Sequence, residues 1–332
     1  MNIGIIGAGG WGTALTLPLA DNGHKVHLWT HENEVVNEIN SKHTNSTYLN
    51  NITVPKSIII SSEPSILDSC EYIILAIPTQ FIRNVLRRYK FRNLSDKFII
   101  NVAKGIEIHS LLRVSEVIIE TINSSSDKYT ILSGPSHAEE VAKRMPTTVV
   151  AASENSAFAK EVQNILSTSN FRVYTSGDVI GCEIGGALKN VIAIAAGIID
   201  GLKLGDNTKS ALITRGLAEI TRLGIAMGAN PQTFSGLSGL GDLIVTCSSL
   251  HSRNRFVGEQ IGKGRTLDNI RSEMKMVAEG ISTTESAYFL SKKHDVEMPI
   301  TEQVYSILME NKPPLKAIQD LMTRRTRREW WW

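Results

Sequence analysis

A lysine among small and apolar neighbours is the most chemically suggestive feature of this 332-residue sequence. Lys189 lies in GGALKNVIA (185–193), and on a helix the positions three and four away are Gly185, Gly186, Ile192 and Ala193. A solvated lysine normally shares its face with polar residues. The purely structural reading is that this one snorkels past its neighbours to water. The chemical reading places it in a desolvated cleft, where burial lowers a lysine's pKa and makes it a general acid or base near neutrality. The flanking glycines would let another backbone, or a ligand, approach closely. Two further stretches stand out. SGLSGLGDL (235–243) is a glycine-rich entry to an apolar segment, with Asp242 its single charge. SSLHSRNR (248–255) packs hydroxyls, an amide and two arginines together, the donor set that a phosphate monoester needs, although an ordinary polar loop has the same composition. Cys247 lies between them, with no basic or histidine partner at catalytic spacing.

The chain opens MNIGIIGAGGWGTAL, where Gly7, Gly9 and Gly12 fit G-x-G-x-x-G between an isoleucine-rich strand and a helical pattern that stops at Asn22-Gly23. A tight glycine turn in that context leaves backbone N–H groups at a helix N-terminus for a pyrophosphate. Close helix–strand packing alone is the structural alternative. After the second strand, VHLW (26–29), come Thr30, His31 and Glu32. An acid about 20 residues beyond the glycine turn suits the ribose of NAD, whereas a basic residue suits NADP. His31 and Glu32 give a mixed signal, so the coenzyme stays open between NAD and NADP. Lys104 and Gly105 follow the strand ending at Ala103. Ser136 and Glu139 in GPSHAEEV (134–141) have the spacing of a capping box, and that helix start can also present N–H groups to a ligand.

The elements that must position these residues read as two domains. Runs at 72–78, 98–103, 130–133 and 148–151 are nearly continuous in Ile, Val and Leu. Such runs imply strands covered on both faces, in a doubly wound, mostly parallel Rossmann-like sheet. Segment 114–122 looks like a crossover helix. From about Asp178 the strand-like runs stop and helical patterns take over, at 184–199, 212–227, 257–262, 283–292 and 301–309. The expectation is therefore an α/β dinucleotide-binding domain at 1–180 and an all-helical substrate domain at 181–332. Net charge of +2, with 42% hydrophobic and 20% charged residues, describes a globular protein with no basic surface for nucleic acid. Cys70, Cys182 and Cys247 lack metal-ligand spacing and point to a reducing, cytoplasmic setting without a metal site. The most apolar later stretch, Val191–Ile199, is too short to span a bilayer, so no stable membrane insertion is expected. The basic run 324–328 reads as a solvated tail, and the final Trp330-Trp331-Trp332 has no physical explanation in the sequence.

Taken together, GAGGWGTAL (7–15), VAKGIE (102–107), LSGPSHAEEV (132–141), IGGALKNVIAIAAG (184–197), LITRGLAEI (212–220), FSGLSGLGDLIVTC (234–247), HSRNR (251–255) and VAEGISTT (277–284) resemble the bacterial-type NAD(P)-dependent glycerol-3-phosphate dehydrogenases. The resemblance runs from residue 1 to about 322. It implies cofactor contacts at Gly10, Trp11, His31, Lys104, Ala138, Arg253, Val277 and Glu279, beside the turn glycines. It implies substrate contacts at Lys104, Gly134, Ser136, Lys189, Asp242, Ser252, Arg253 and Asn254, with Lys189 as proton donor or acceptor. The implied reaction interconverts dihydroxyacetone phosphate and sn-glycerol 3-phosphate and feeds phospholipid synthesis. The resemblance also implies a basic residue or two after the second strand; here Glu32 follows His31, a departure that speaks against a strong NADP preference. Two rivals stay in view. A hydroxy-acid dehydrogenase would not need the Ser-Arg-Asn cluster, and a nicotinamide-binding sensor would not need a desolvated lysine. Helical second domains often pair with a copy of themselves, so a homodimer is the expected assembly.

Overall fold

Strands buried on both faces must be apolar at consecutive positions, and the apolar runs of the first half become such strands. The computed structural model describes residues 1–274, 276–326, 328 and 329. Its strands are β1 (Asn2–Ile6), β2 (Lys25–Trp29), β3 (Thr44–Asn45), β4 (Leu49–Thr53), β5 (Ile59–Ser61), β6 (Tyr72–Leu75), β7 (Phe98–Asn101), β8 (Tyr129–Ser133), β9 (Thr147–Ala152) and β10 (Phe171–Ser176). Eight of them form one sheet in the order β10-β9-β8-β7-β6-β1-β2-β5, while β3 and β4 make a separate antiparallel ribbon. Pairing in the large sheet is parallel except between β8 and β9, where Leu132 lies opposite Ala151. The chain steps outward from β1 to β2 and β5, then returns to the other side of β1 as β6. That reversal makes the carboxyl end of β1 a topological switch point, where open α/β sheets bind ligands.

Two buried clusters cover the faces of this sheet. Ile3, Ile5, Leu28, Ile74, Ile100 and Leu132 belong to one. Ile6, Trp29, Ile73, Leu75, Ile99 and Ile131 belong to the other. Around the sheet run α1 (Gly10–Asp21), α2 (Asn33–Lys42), α3 (Thr79–Arg88), α4 (Val114–Ile122), α5 (Ala138–Ala142) and α6 (Ser156–Leu166). Four strands escape the sequence reading: β3, β4, β5 and β10. β10 alternates buried Phe171 and Val173 with exposed Arg172 and Tyr174 at the sheet edge, so it lacks the continuous apolar run of a central strand.

The chain forms two compact units, one from Met1–Lys104 with Leu112–Glu183, the other from Gly105–Leu111 with the described residues from Ile184 onward. A division at residue 180 therefore misses two things. The boundary falls inside a helix, and the short stretch Gly105–Leu111 belongs with the second unit. In that unit the buried Ile106 offers its carbonyl to the Ser286 hydroxyl at 3.1 Å. Composition carries no sign of such an excursion.

Among the described residues from Ile184 onward the structure is helical throughout. The helices are α7 (Val179–Gly201, which crosses the boundary), α8 (Gly205–Ala226), α9 (Asp242–Ser248), α10 (Arg253–Gly262), α11 (Leu267–Glu273), α12 (Glu279–Lys293), α13 (Pro299–Met309) and α14 (Pro314–Met322). A 3₁₀ turn at Pro231–Ser235 and a π-helical turn at Leu237–Gly241 lead into α9. The sequence reading took Val191–Ile199 as the most apolar later stretch and judged it too short to span a bilayer. In fact α7 has 23 residues and is long and apolar enough to cross a membrane, yet its most apolar window is wholly buried within the protein. Its glycines explain how closely it is packed. A methyl group at Gly197 would come 1.9 Å from the Arg255 carbonyl oxygen, and one at Gly258 would come 1.9 Å from that of Ile194. Helices α7 and α10 thus touch backbone to backbone. The Trp330–Trp332 tail and Arg327 of the basic run lie outside the described residues.

Glu219 on α8 is buried and caps α13, accepting bonds from the Ile300 and Thr301 N–H groups at 2.6 and 3.1 Å and from the Thr301 hydroxyl at 3.2 Å. Burial outweighs these bonds and raises its pKa from 4.5 to about 7. Because the folded pKa lies above the unfolded one, the folded state holds the proton more tightly between those values. The stabilising contribution is full below about pH 4.5 and is lost as pH rises through about 7. Relative to a Glu219→Gln variant, the native chain is expected to lose about 2 to 3 kcal/mol between pH 5 and pH 8, measurable by urea denaturation at each pH. A constant difference would show that Glu219 does not titrate there.

Candidate active site

The first unit contains the glycine turn expected to cradle a dinucleotide. Gly7, at the end of β1, has φ +111°, and a Cβ there would lie 2.5 Å from the Ala76 carbonyl oxygen. A Cβ at Gly12 would lie 1.9 Å from the Gly7 oxygen, and one at Gly10 would lie 2.8 Å from the Tyr48 oxygen. Protein therefore fills the space at three of the four glycines. Gly9 differs, since nothing lies within 4 Å of its Cβ position. It is also the N-cap residue of α1, with no side-chain cap. An open approach to uncapped N–H groups at a helix start fits the pyrophosphate of NAD or NADP. Trp11 lies in the first turn of α1, and Ala138, at the start of α5, lies 3.9 Å from the Gly10 Cβ position.

The ribbon β3–β4 holds this turn in place. Asn45 donates to the Ala8 carbonyl and to the Thr13 hydroxyl, both at 2.8 Å. Tyr48, between the two strands, covers Gly10 with its carbonyl and donates its hydroxyl to Glu32 Oε1 at 2.6 Å. His31 is exposed beyond β2, its ring centre 6.2 Å from that of Tyr89. Neither Asn45 nor Tyr48 stands out in the sequence.

A second group in this unit gathers Lys104, Gly134 and Ser136. Lys104 Nζ and the Ser136 hydroxyl both donate to the Gly134 carbonyl at 2.8 Å. Gly134 has φ +129° and lies against Val149, a position that suits only glycine. The expected capping box does not form: α5 starts one residue later, its N-cap is His137, and the Ser136 hydroxyl turns back to Gly134. Asn101 shapes the loop that carries Lys104. Its side chain bonds both the N–H and the carbonyl of Ala103 and meets the Tyr129 hydroxyl at 3.0 Å. Tyr129 in turn donates to buried Glu183, which also pairs with Arg113 at 2.7 Å.

The second unit contains the lysine. Lys189 is 7% exposed, and its Nζ is in direct contact with the carboxylate of Asp242, itself 1% exposed. It also donates to the Thr246 hydroxyl at 3.0 Å, while that hydroxyl donates to the Asp242 carbonyl at 2.6 Å. Attraction to a carboxylate favours the ammonium form, opposing the desolvation that sequence alone brings to mind. Gly185 makes the arrangement possible, because a Cβ there would lie 2.6 Å from the Ser238 oxygen of the π-helical turn. The glycines around Lys189 and Asp242 thus serve approach by another backbone. Thr246 is missed by the sequence reading, although it stands one helical turn after Asp242. Cys247 is inert, since burial pushes its thiol up to about 12.

The SSLHSRNR stretch resolves into residues of different kinds. Ser252 is the N-cap of α10, accepting from the Arg255 N–H at 3.2 Å. Arg255 is held by Asp200 at 2.6 Å and Glu259 at 3.5 Å, so it is a structural ion-pair residue. Arg253 is exposed. Asn254 is buried, donating to the Asn190 side chain and accepting from the Gly280 N–H, both at 2.9 Å. It therefore joins the residue after Lys189 to the start of α12, where Glu279 is half-buried and Val277 is 39% exposed just before it.

The Lys189–Asp242 pair yields a stability test. Removing one partner leaves a buried charge uncompensated, so Asp242→Ala is expected to cost about 3 to 5 kcal/mol. Combining Lys189→Met with Asp242→Leu is expected to restore most of it, as read by urea denaturation. A double variant no more stable than the single one would show that the pair's surroundings, and not its charge, set the cost.

Known proteins share this arrangement of sequence. A family model described as the NAD-dependent glycerol-3-phosphate dehydrogenase N-terminus matches residues 2–159, and one described as its C-terminus matches residues 178–319. The chain is 51% identical over 331 residues to a glycerol-3-phosphate dehydrogenase (NAD(P)+) of Chlorobium phaeobacteroides (strain BS1), covering 99% of each chain. It is 52% identical over 324 residues to the enzyme of that name from Bacillus pumilus (strain SAFR-032), covering 97% of this chain and 94% of the relative. Among solved structures, glycerol-3-phosphate dehydrogenase from Coxiella burnetii superimposes with a TM-score of 0.92 at 39% identity, covering 97% of this chain and 99% of that one. Matched along both halves of its length, the chain belongs to the NAD-dependent glycerol-3-phosphate dehydrogenase family.

Proposed function

We propose that this chain interconverts dihydroxyacetone phosphate and sn-glycerol 3-phosphate, with NAD or NADP as the redox partner and Lys189 as the proton donor and acceptor. The observation that carries the reading is the buried Lys189–Asp242–Thr246 cluster, in a chain whose family is that of the glycerol-3-phosphate dehydrogenases. A bound nicotinamide supplies the hydride that reduces C2 of the ketone. In that direction Lys189, as an ammonium, donates a hydrogen bond to the carbonyl oxygen, stabilises the alkoxide as it develops, and passes a proton to it. Asp242 and Thr246 fix where Nζ points, and Asp242 balances its charge. In oxidation Lys189 takes the hydroxyl proton back.

The other residues bind and orient. Gly7, Gly9, Gly10, Trp11, Gly12 and Ala138 form the cradle for the dinucleotide, with His31 beyond β2. Lys104, Gly134 and Ser136 contribute to substrate binding, and Lys104 also to cofactor binding. Ser252, Arg253 and Asn254 hold the phosphate, so that binding energy remote from C2 positions the reacting carbon. Asn254 keeps a donor for this task, because an amide NH₂ has two hydrogens and Asn190 takes one. Arg253, Val277 and Glu279, at the starts of α10 and α12, complete the cofactor contacts. The reading also includes a cytoplasmic setting, supported by three buried free cysteines, and a role in making the glycerol phosphate of phospholipids. A homodimer formed through the helical unit is supported by exposed apolar side chains such as Ile225, Ile244 and Phe289.

Oxidation of reduced nicotinamide by the purified chain should require dihydroxyacetone phosphate and fail with unphosphorylated dihydroxyacetone. Lys189→Ala should lower kcat by about 10² to 10⁴ while dinucleotide binding persists. Lys189→Arg, which keeps the ion pair but cannot release a proton, should be comparably slow. A near-native rate for the arginine variant would remove the proton-transfer role. Arg253→Ala should act mainly on KM for the phosphorylated substrate, and an unchanged KM would take the phosphate away from this cluster.

A further inference from the structure

We propose that Glu32, held in place by Tyr48, selects NAD over NADP by occupying the position where the two coenzymes differ, an inference that rests on the dinucleotide-dependent reading above. Glu32 follows β2 and stands about 20 residues beyond Gly12, the place from which an acid meets the adenosine ribose in sheets of this kind. Spacing alone left the matter open, because His31 is adjacent. The structure adds a physical linkage. The ribbon β3–β4 is fastened to the glycine turn at Asn45, which bonds Ala8 and Thr13, and at Tyr48, whose carbonyl closes over Gly10. From that same residue the phenol donates to Glu32 Oε1 at 2.6 Å. The carboxylate is thus tied to the loop that would hold the pyrophosphate, and it cannot swing away without losing that bond.

The remaining contacts favour a hydroxyl over a phosphate. Glu32 is half-buried, and its backbone N–H is taken by the Thr30 hydroxyl at 3.3 Å. Its second oxygen, Oε2, has a contact of 3.5 Å from that hydroxyl, too long to satisfy a carboxylate oxygen. An oxygen so placed accepts readily from the ribose 2′-OH of NAD. The 2′-phosphate of NADP has no proton to spare in its dianionic form and carries charge of the same sign. Burial, and then Glu32 itself, push the Tyr48 hydroxyl up to about 12, so it remains a donor throughout the physiological range. His31 lies beside the Tyr89 ring.

The test is the dissociation constant of NADH and of NADPH for the full chain without substrate, measured by quenching of protein fluorescence, for the native protein, Glu32→Gln and Tyr48→Phe. The native chain should bind NADH roughly ten- to a hundredfold more tightly than NADPH. Glu32→Gln should collapse that ratio, chiefly by improving NADPH, and Tyr48→Phe should reduce it part of the way. Because the readout is a ratio of two affinities, a general loss of fold or of pyrophosphate binding does not imitate the result. Equal native affinities, or a ratio unmoved by either variant, would overturn the selection by Glu32 while leaving the dehydrogenase reading intact. Binding of neither dinucleotide would overturn both.

Discussion

An ammonium group kept out of water needs a carboxylate beside it, and the second unit is organised around meeting that need at Lys189. Asp242 can touch Lys189 because the π-helical turn before α9 lies directly on α7, and it lies there because Gly185 has no side chain to hold it off. Further along α7, Gly197 lets α10 come closer still, and Asn254 on α10 then reaches Asn190. The phosphate-binding candidates and the lysine are therefore fixed by the same helix. Charge, glycine spacing and hydrogen bonding express one constraint.

The first unit solves a different problem, which is to expose backbone N–H groups without leaving the surrounding backbone loose. Three glycines of the turn are there because protein crowds them, and one because nothing does. The β3–β4 ribbon supplies the rigidity, with Asn45 and Tyr48 bonding around the turn from outside. Likewise Lys104 sits on a loop braced by the buried network of Asn101, Tyr129 and Glu183.

How much of this was legible depended on the range of the interaction. The central strands were readable because a strand covered on both faces must be apolar at each position. β10 and the ribbon were not, since an edge strand and a short hairpin obey no such rule. Lys189 could be singled out from its helix face alone. Its partner Asp242 was conspicuous as a lone charge, whereas Thr246 was hidden among apolar neighbours. The capping role expected for Ser136 failed because α5 begins one residue later, a shift that spacing cannot detect. Arg255 resembled Arg253 in sequence, and its ion pairs with Asp200 and Glu259 separate it from the exposed Arg253. Glu32 and Tyr48 are 16 residues apart and meet only through the fold.

The excursion at Gly105–Leu111 bears on how this chain can be taken apart. A polypeptide that visited its second unit once could be cut at the boundary to give two self-sufficient pieces. This one enters the second unit directly after Lys104, returns at Leu112, and leaves for good inside α7. A cut at Glu183 would strip the helical piece of the segment whose Ile106 carbonyl receives the Ser286 hydroxyl, and leave the buried Ile106 attached to the other piece without its packing partners. The dinucleotide cradle and the lysine cluster are thus distinct in architecture but inseparable in covalent terms. Any natural recombination that exchanged one of them for a homologous unit would have to carry three crossovers, not one.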